Sequence, residues 1–361
     1  MKVEKGIISG KQLMFLIIVH LQASTLAISF IASLVNQSLW IIISFTFILM
    51  FIFFWIYLKI SLQFPGLNLI EINDILYGKI IGKVVSLLYI YFFWYIAAAN
   101  LRFIADFFSA FLYQGISNSV FIISFALVLV YTVRNGLETF GRCSVPLAIL
   151  NIVLTIFITI LTIKDWNLKN FLPLFNIELI KILQSANLMI AIPFGEMIVF
   201  MMIFPYVNEQ TKVKKYFYLG YIIGFINLIL IIIRNIAVLG NITSLYLLPS
   251  FQVARIINVG EIIVRAEIVI AVVLLFNSFI KICIFLYVTV LGLAQLFRMK
   301  YYKPLVLPIG VLISVFADSM YNSSTEHGYS GANIYPVYAL LFIIFIPIIT
   351  FILMYIKKFS K

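Results

Sequence analysis

The sequence predicts an all-α protein that crosses a membrane about ten times as a single domain, residues 1–361. Of its 361 residues, 64% are hydrophobic and 11% are charged, and the mean hydropathy is +1.15. Soluble domains are about half apolar and about a quarter charged, so this composition excludes a water-soluble enzyme. One crossing takes about 20 apolar residues, which leaves room for roughly ten to twelve helices with short connections.

Apolar segments that are separated by polar, proline or glycine residues define ten candidate spans. The segment 39–58 is the clearest of them, whereas 118–133 and 305–321 are shorter. The predicted spans are 13–35, 39–58, 84–111, 118–133, 144–163, 187–206, 216–240, 262–297, 305–321 and 334–356.

The positions of the basic residues predict how the chain is oriented. The net charge is +12, and seventeen of the 25 Lys and Arg residues fall in segments that lie on one side if the ten spans are correct. The segments on the other side hold only Lys164, Lys169, Lys181 and Arg255. Because cytoplasmic loops are enriched in Lys and Arg, both termini are expected in the cytoplasm. The positive charge is therefore a topology signal and does not indicate a nucleic-acid partner.

Two predicted spans, five apart in the chain, contain an interruption. The first is interrupted by the polar stretch His20-Leu21-Gln22-Ala23-Ser24-Thr25, and the sixth by Pro193-Phe194-Gly195-Glu196. Paired breaks predict a five-plus-five inverted repeat, about 8–163 and about 187–356, with a binding site where the breaks meet near the bilayer midplane. Backbone groups freed at membrane depth need a ligand, ion or polar partner. In the alternative, proline only kinks its helix and the hydroxyl groups bond within their own turn.

Several short motifs, in this order along nearly the whole chain, resemble those of a known family. Together they are similar to the B subunits of spore nutrient-germinant receptors, which are endospore germination permeases of the amino acid-polyamine-organocation superfamily. The motifs are Ile8–Gln12, Phe64–Glu71, Tyr77–Lys83, Asn135–Arg142, Leu172-Pro173 and Pro193–Glu196 continuing to Phe204-Pro205.

The resemblance implies a ten-span, LeuT-like permease fold with broken helices 1 and 6 in the inner membrane of a spore. It also implies an A-type membrane subunit and a C-type lipoprotein as partners, and an amino acid or similar nutrient as ligand. Family members often carry glycine in the first break, but this chain has none between Gly10 and Gly66. The identity of the nutrient is therefore not carried over.

The predicted ligand site combines the two breaks with one residue of the third span. Glu196 either caps a half-helix, where the helix dipole favours a carboxylate, or receives a ligand ammonium or a proton. The same break could instead meet a ligand carboxylate through backbone N–H groups. The predicted ligand-binding residues are Gln22, Ala23, Ser24, Thr25, Tyr95, Pro193, Phe194, Gly195 and Glu196.

Buried ionisable residues supply the candidates for ion coupling, because each charge inside a span needs a partner or a wet cavity. Lys281, four residues after Asn277, either replaces the sodium ion that permeases of this type hold between helices 1 and 8, or pairs with Glu196 or Asp318. Arg102 and Asp106 either neutralise each other or attract a carboxylate ligand. Four other charged residues are expected to anchor the spans near the interface or to pair with one another, namely Arg234, Arg265, Glu267 and Asp318.

Three functions fit this pattern. The first is a nutrient-sensing receptor subunit that passes a conformational change to its partners. The second is a secondary amino acid transporter, and the third is a structural subunit with a vestigial pocket. No enzyme, cofactor or metal site is expected, because His20, His327, Cys143 and Cys283 are too few and too scattered to form one.

Overall fold

The computed structural model describes residues 4, 6–26, 31, 34–113, 115–174, 177–246, 248–256 and 266–359. Within these ranges all regular secondary structure is helical and no strand is formed, and the single β-type contact is an isolated parallel bridge between Ile8 and Val207. The all-helical fold class is therefore confirmed for the part of the chain that the structure describes. Arg265 lies outside these residues.

The helices are numbered in chain order. The α-helices are α1 Gly10–Ala23, α2 Leu39–Gln63, α3 Leu69–Tyr77, α4 Ile81–Phe107, α5 Asn118–Arg134, α6 Leu137–Thr162, α7 Leu179–Met189, α8 Val213–Leu239, α9 Pro249–Ile256, α10 Ala266–Leu296, α11 Lys303–Ser319, α12 Ser324–Tyr329, α13 Tyr335–Leu340 and α14 Ile346–Phe359. Wider π-helical turns extend or join some of them, at Phe108–Leu112, Ile190–Phe194, Ser330–Ile334 and Leu341–Phe345.

Seven helical segments of the described chain are long and apolar enough to cross a membrane. They are Asn36–Gln63, Ile81–Leu112, Leu137–Asp165, Leu179–Met202, Gln210–Leu245, Glu267–Leu296 and Ser324–Lys357. These lengths identify a multi-span membrane protein, and outward-facing apolar residues such as Phe45, Ile48 and Ile52 are suited to lipid contact.

The count of ten spans is not confirmed by these lengths. α5 and α11 have 17 residues each, which at 1.5 Å per residue is about 25 Å. α1 has 14 residues, and part of the predicted first span, residues 27–30, 32 and 33, lies outside the described residues. The three remaining spans, and with them the ten-span repeat, stay a prediction.

α1 is mostly buried, and it packs against α6, α8 and α10. Glycines on α8 allow this close approach: a Cβ added at Gly220 would lie 2.7 Å from the Met14 carbonyl oxygen, and one at Gly224 would lie 2.7 Å from Leu21 Cδ1. Small residues bring helix backbones together in the same way in membrane interiors. The Gln22 side chain then reaches α8 and donates a hydrogen bond to the Gly224 carbonyl oxygen at 2.8 Å.

Two of the motifs that carry the family resemblance are helix caps. Ser9 and Gln12 form a capping box at the start of α1, with hydrogen bonds of 3.2 and 2.7 Å. Asn68 and Glu71 form the equivalent box at the start of α3. Such boxes satisfy N–H groups that a helix start leaves unpaired. These motif residues therefore fix where the two helices begin.

Candidate functional site

The first helix break lies at the end of α1, where a tight 3₁₀ turn, Ser24–Leu26, follows Ala23. Thr25 Oγ1 donates to the Gln22 carbonyl oxygen at 2.8 Å, so this hydroxyl bonds within its own turn, as the simpler alternative expects. Ser24 behaves differently, because its oxygen accepts a hydrogen bond from a residue on another helix.

The second break is a change of helical pitch. α7 passes into a π-helical turn, Ile190–Phe194, and then into a 3₁₀ segment, Gly195–Met202. Proline at position 193 removes one backbone donor there. A Cβ at Gly195 would lie 2.5 Å from the Ile190 carbonyl oxygen and 2.5 Å from Ile343 Cδ1, so the close packing of this turn requires glycine.

Glu196, the next residue, forms a buried ion pair with Lys281 of α10. Lys281 Nζ lies 2.6 Å from Glu196 Oε2, and the two residues are 1% and 3% exposed. Lys281 also donates to Ser24 Oγ at 2.9 Å, and the Tyr335 hydroxyl donates to Glu196 Oε1 at 2.8 Å. One ammonium and one carboxylate thus join both breaks to α10 and α13. Of the two partners considered for Lys281, the structure places Glu196 beside it.

This ion pair lies at a cavity, called here the central cavity, that encloses about 640 Å³ with its opening included. Four of the predicted ligand-binding residues and one coupling candidate line it: Ala23, Ser24, Tyr95, Glu196 and Lys281. Apolar wall is added by Ile192 and Ala99. The cavity therefore combines two opposite charges, hydroxyl groups and a mostly apolar surface, as small-molecule sites do.

The other predicted residues lie elsewhere. Gln22, Thr25 and Asn277 face a different cavity, on the other side of the α1 end. Pro193, Phe194 and Gly195 line neither of these two cavities. The Phe194 ring is fully buried in the core, where its centroid lies 5.6 Å from that of Tyr221.

Arg102 and Asp106 form an ion pair at 2.9 Å between Nε and Oδ1. Asp106 also accepts a hydrogen bond from Asn118 Nδ2 at 2.6 Å, and its Oδ2 lies 3.0 Å from His327 Nδ1. Arg102 Nη1 donates to the carbonyl oxygens of residues 317 and 318, at 3.2 and 2.8 Å. The two charges therefore neutralise each other and tie α4 to α5, α11 and α12.

A chain of aromatic side chains connects the cluster around Asp106, called here the Asp106 cluster, to the central ion pair. The rings of His327 and Tyr321 stack with their centroids 4.5 Å apart, and the hydroxyls of Tyr321 and Tyr95 lie 2.8 Å apart. Tyr95 is in turn nearly parallel to Tyr335, at 6.2 Å between centroids. His327, Tyr321 and Tyr335 all line the central cavity. Sequence reasoning missed these three, since each lies more than 200 residues from the partner it meets on α4 and no local pattern marks it.

Comparison with known proteins agrees with the family resemblance of the sequence motifs. A family model described as "Spore germination protein" matches residues 7–326. The chain is 29% identical to Spore germination protein KB of Bacillus subtilis (strain 168), over 98% of this chain and 96% of that protein. It is 21% identical to Spore germination protein YndE of the same organism, over 72% of this chain and 70% of that protein.

These matches confirm the resemblance that the sequence motifs carry. Neither relative is named as an enzyme, which agrees with the expectation for this chain. Together with seven long apolar helices, the family match identifies an integral membrane protein. The chain belongs to the family of spore germination proteins.

Proposed function

We propose that this chain is the nutrient-sensing subunit of a spore germination receptor, and that it binds an amino-acid-like nutrient in the central cavity. The buried Glu196–Lys281 pair between the two breaks is the observation that carries the proposal. It offers one carboxylate and one ammonium to the same cavity, and these charges complement the ammonium and the carboxylate of an amino acid. The low polarity of the surroundings strengthens both interactions.

Ligand binding at this place would act on the fold through the ion pair. A zwitterion competes with Glu196 for the ammonium of Lys281 and with Lys281 for the carboxylate of Glu196. Because Lys281 also holds Ser24 at 2.9 Å, any displacement of its ammonium releases the end of α1. A ligand shifts an equilibrium between two arrangements by its difference in affinity for them, so the bound and free forms can differ in the position of this helix end.

The proposal includes the finer predictions about fold and surroundings. They are ten spans in two inverted repeats, cytoplasmic termini, the spore inner membrane, and A-type and C-type partner subunits. Two features support the repeat: the breaks lie five predicted spans apart, and residues of both breaks line one cavity. The same motifs that resemble B subunits, and the family match, support the partners.

A secondary amino acid transporter is the alternative, since a site at paired helix breaks suits transport equally well. Flux into proteoliposomes separates the two functions. Rapid uptake of labelled amino acids by the isolated chain, without partner subunits, would overturn the receptor proposal. Binding without uptake would support it.

Filling the central cavity tests the site itself. Ala99→Leu adds bulk to the cavity wall on α4, and Ala126→Leu makes the same change on α5 at a residue that lines neither cavity. We expect Ala99→Leu to reduce nutrient-triggered germination of spores about tenfold or more, which corresponds to about 1.4 kcal/mol of binding free energy. Ala126→Leu should leave the response unchanged.

The level of the protein in spore membranes is measured alongside germination. Normal response of the Ala99→Leu spores at normal protein level would contradict the proposed site and favour a vestigial pocket.

A further inference from the structure

Arg234 of α8 is a buried cation without a carboxylate partner among the described residues. It is 2% exposed, and its guanidinium meets one side chain, Asn235, whose Oδ1 accepts from Nε at 3.3 Å and from Nη2 at 3.1 Å. Nη1 has no partner in the described chain. Sequence reasoning expected an interfacial anchor or an ion pair here, and the structure places the residue in the interior.

Asn235 is itself held in place, because its Nδ2 donates to Ser250 Oγ at 2.9 Å. This bond orients the amide oxygen toward the guanidinium. The remaining guanidinium N–H groups are then available to a cavity that Arg234 lines. This lateral cavity encloses about 780 Å³ with its opening included, and it lies on the opposite side of the α1 end from the central cavity. Arg234 and Asn235 both line it.

Other polar groups of the lateral cavity also lack partners within the described chain. Asn277 of α10 is 2% exposed, and its amide forms no hydrogen bond with any residue that the structure describes. Gln22 uses its Nε2 on α8, but its Oε1 is buried without a partner. Asn151 uses its Oδ1 on Asn227 at 2.7 Å, which leaves its Nδ2 unpaired. Hydrogen-bonding groups of three further helices thus line the same cavity as the guanidinium.

A guanidinium stays charged at all physiological pH values, and a charge in a membrane interior is stable only with a counter-charge or water. Among the described residues, no carboxylate forms an ion pair with this guanidinium, whose side-chain partner is the Asn235 amide. The missing counter-charge is an anion. An arginine fork matches a carboxylate with two parallel hydrogen bonds.

The rest of the lateral cavity is apolar, with walls from Ile231, Ile270, Leu274 and Phe251. An inorganic ion would leave this surface unfilled. We propose that the lateral cavity is a second binding site, separate from the central cavity, for a small organic carboxylate with a short aliphatic body. Its carboxylate pairs with Arg234, and its aliphatic part fills the apolar wall.

The two cavities share the end of α1 as their common wall. Ala23 and Ser24 face the central cavity, whereas Gln22 and Thr25 face the lateral cavity. On α10, Ser278 faces the central cavity and its neighbour Asn277 faces the lateral one. A carboxylate in the lateral cavity therefore contacts the helix end that Lys281 holds from the other side. This site does not depend on what the central cavity binds.

Thermal unfolding of the purified full-length chain in detergent, in chloride-free sulfate buffer, tests the lateral site. The probes are isobutyrate, isobutylamine, which has the same carbon body and opposite charge, and chloride. Isobutyrate at about 10 mM is expected to raise the Tm by about 2–4 °C, since a ligand of the folded state stabilises it by mass action. Isobutylamine and chloride should give no comparable shift.

Arg234→Met should abolish the isobutyrate shift, whereas the matched variant Arg255→Met, at an exposed arginine of α9 outside the cavity wall, should keep it. The proposal is overturned if Arg234→Met still responds, or if chloride or isobutylamine acts as strongly as isobutyrate. It is also overturned if the Tm of the wild type does not rise with isobutyrate. A rise that then appears in Glu261→Gln, at a glutamate outside the described residues, would identify that carboxylate as the partner of Arg234. Germination through the central cavity is measured separately, so failure of either proposal is distinguishable.

Discussion

The central and lateral cavities lie on opposite sides of one helix end, and they differ in whether their buried charge is paired. In the central cavity, Lys281 and Glu196 are 2.6 Å apart and neutralise each other. In the lateral cavity, Arg234 faces a neutral amide. A ligand of the first cavity has to compete with an existing ion pair, whereas a ligand of the second completes one. The first arrangement suits a reversible switch, and the second suits a bound anion.

The largest expected effect is that of Lys281→Met, which leaves the Glu196 carboxylate buried and unpaired. Breaking a buried ion pair from one side costs about 3–5 kcal/mol, so we expect a marked loss of thermal stability and of protein level. The double variant Lys281→Met/Glu196→Gln removes both charges and should recover most of the loss. The exposed Lys214→Met variant is the matched control, and equal losses in the single and double variants would contradict the pairing.

Arg234→Met should have the opposite sign. Because the arginine has no carboxylate partner in the described chain, its removal takes a desolvated charge out of the interior, and replacing buried charges by apolar residues can stabilise by about 1–4 kcal/mol. We expect a higher Tm in the absence of added anions. A Tm as low as that of Lys281→Met would show that both cavities contain compensated charges, and the contrast between them would fail.

Gly220→Ala tests the packing of α1, the helix whose end separates the two cavities. The new methyl group would meet the Met14 backbone oxygen, which cannot move without moving α1, and overpacking of this kind costs about 1–3 kcal/mol. Gly224→Ala meets the flexible end of Leu21 and should cost less. The Tm of each variant measures its loss of stability, and a larger loss for Gly224→Ala than for Gly220→Ala would contradict the described packing of α1 against α8.

His327→Ala has the smallest expected effect. It removes one of the three side chains that contact the Asp106 carboxylate, and a hydrogen bond of this kind contributes about 1 kcal/mol, or somewhat more to a charged group. The stacking with Tyr321 is lost too, so the aromatic connection to the central cavity is broken. We expect nearly normal stability and an altered nutrient concentration for half-maximal germination. An unchanged response would show that the Asp106 cluster does not influence the central site.

Several features of this protein are determined locally and could therefore be predicted. Burial in lipid demands long apolar helices, so the hydropathy pattern gives the fold class and positions such as 39–58. The helix starts at Ser9 and Asn68 follow from capping boxes within four residues. Arg102 and Asp106 lie four residues apart on one helix, so their pairing follows from helix geometry alone.

The candidate site was predicted only in part. Glu196, Ser24 and Lys281 were recognised because charged or polar residues are rare in apolar segments, and the structure brings all three together. Tyr335 carried no such signal, since an aromatic residue in an apolar segment is ordinary. His327 carried none either, because it lies in a polar stretch between two predicted spans, where a histidine is equally ordinary. The helix-breaking pattern of Pro193, Phe194 and Gly195 predicts that they bind the ligand. In the structure they shape the turn and its packing and do not line the central cavity.

The sequence by itself determined that this chain is a helical membrane protein and to which family it belongs, because these depend on composition and local order. The tertiary structure decided which buried charges are paired. Lys281 meets a carboxylate 85 positions away in the chain, and Arg234 meets none in the described chain. That difference arises from how α8 and α10 pack around the end of α1, since ion pairing requires a few ångströms of distance in space and is independent of separation along the chain.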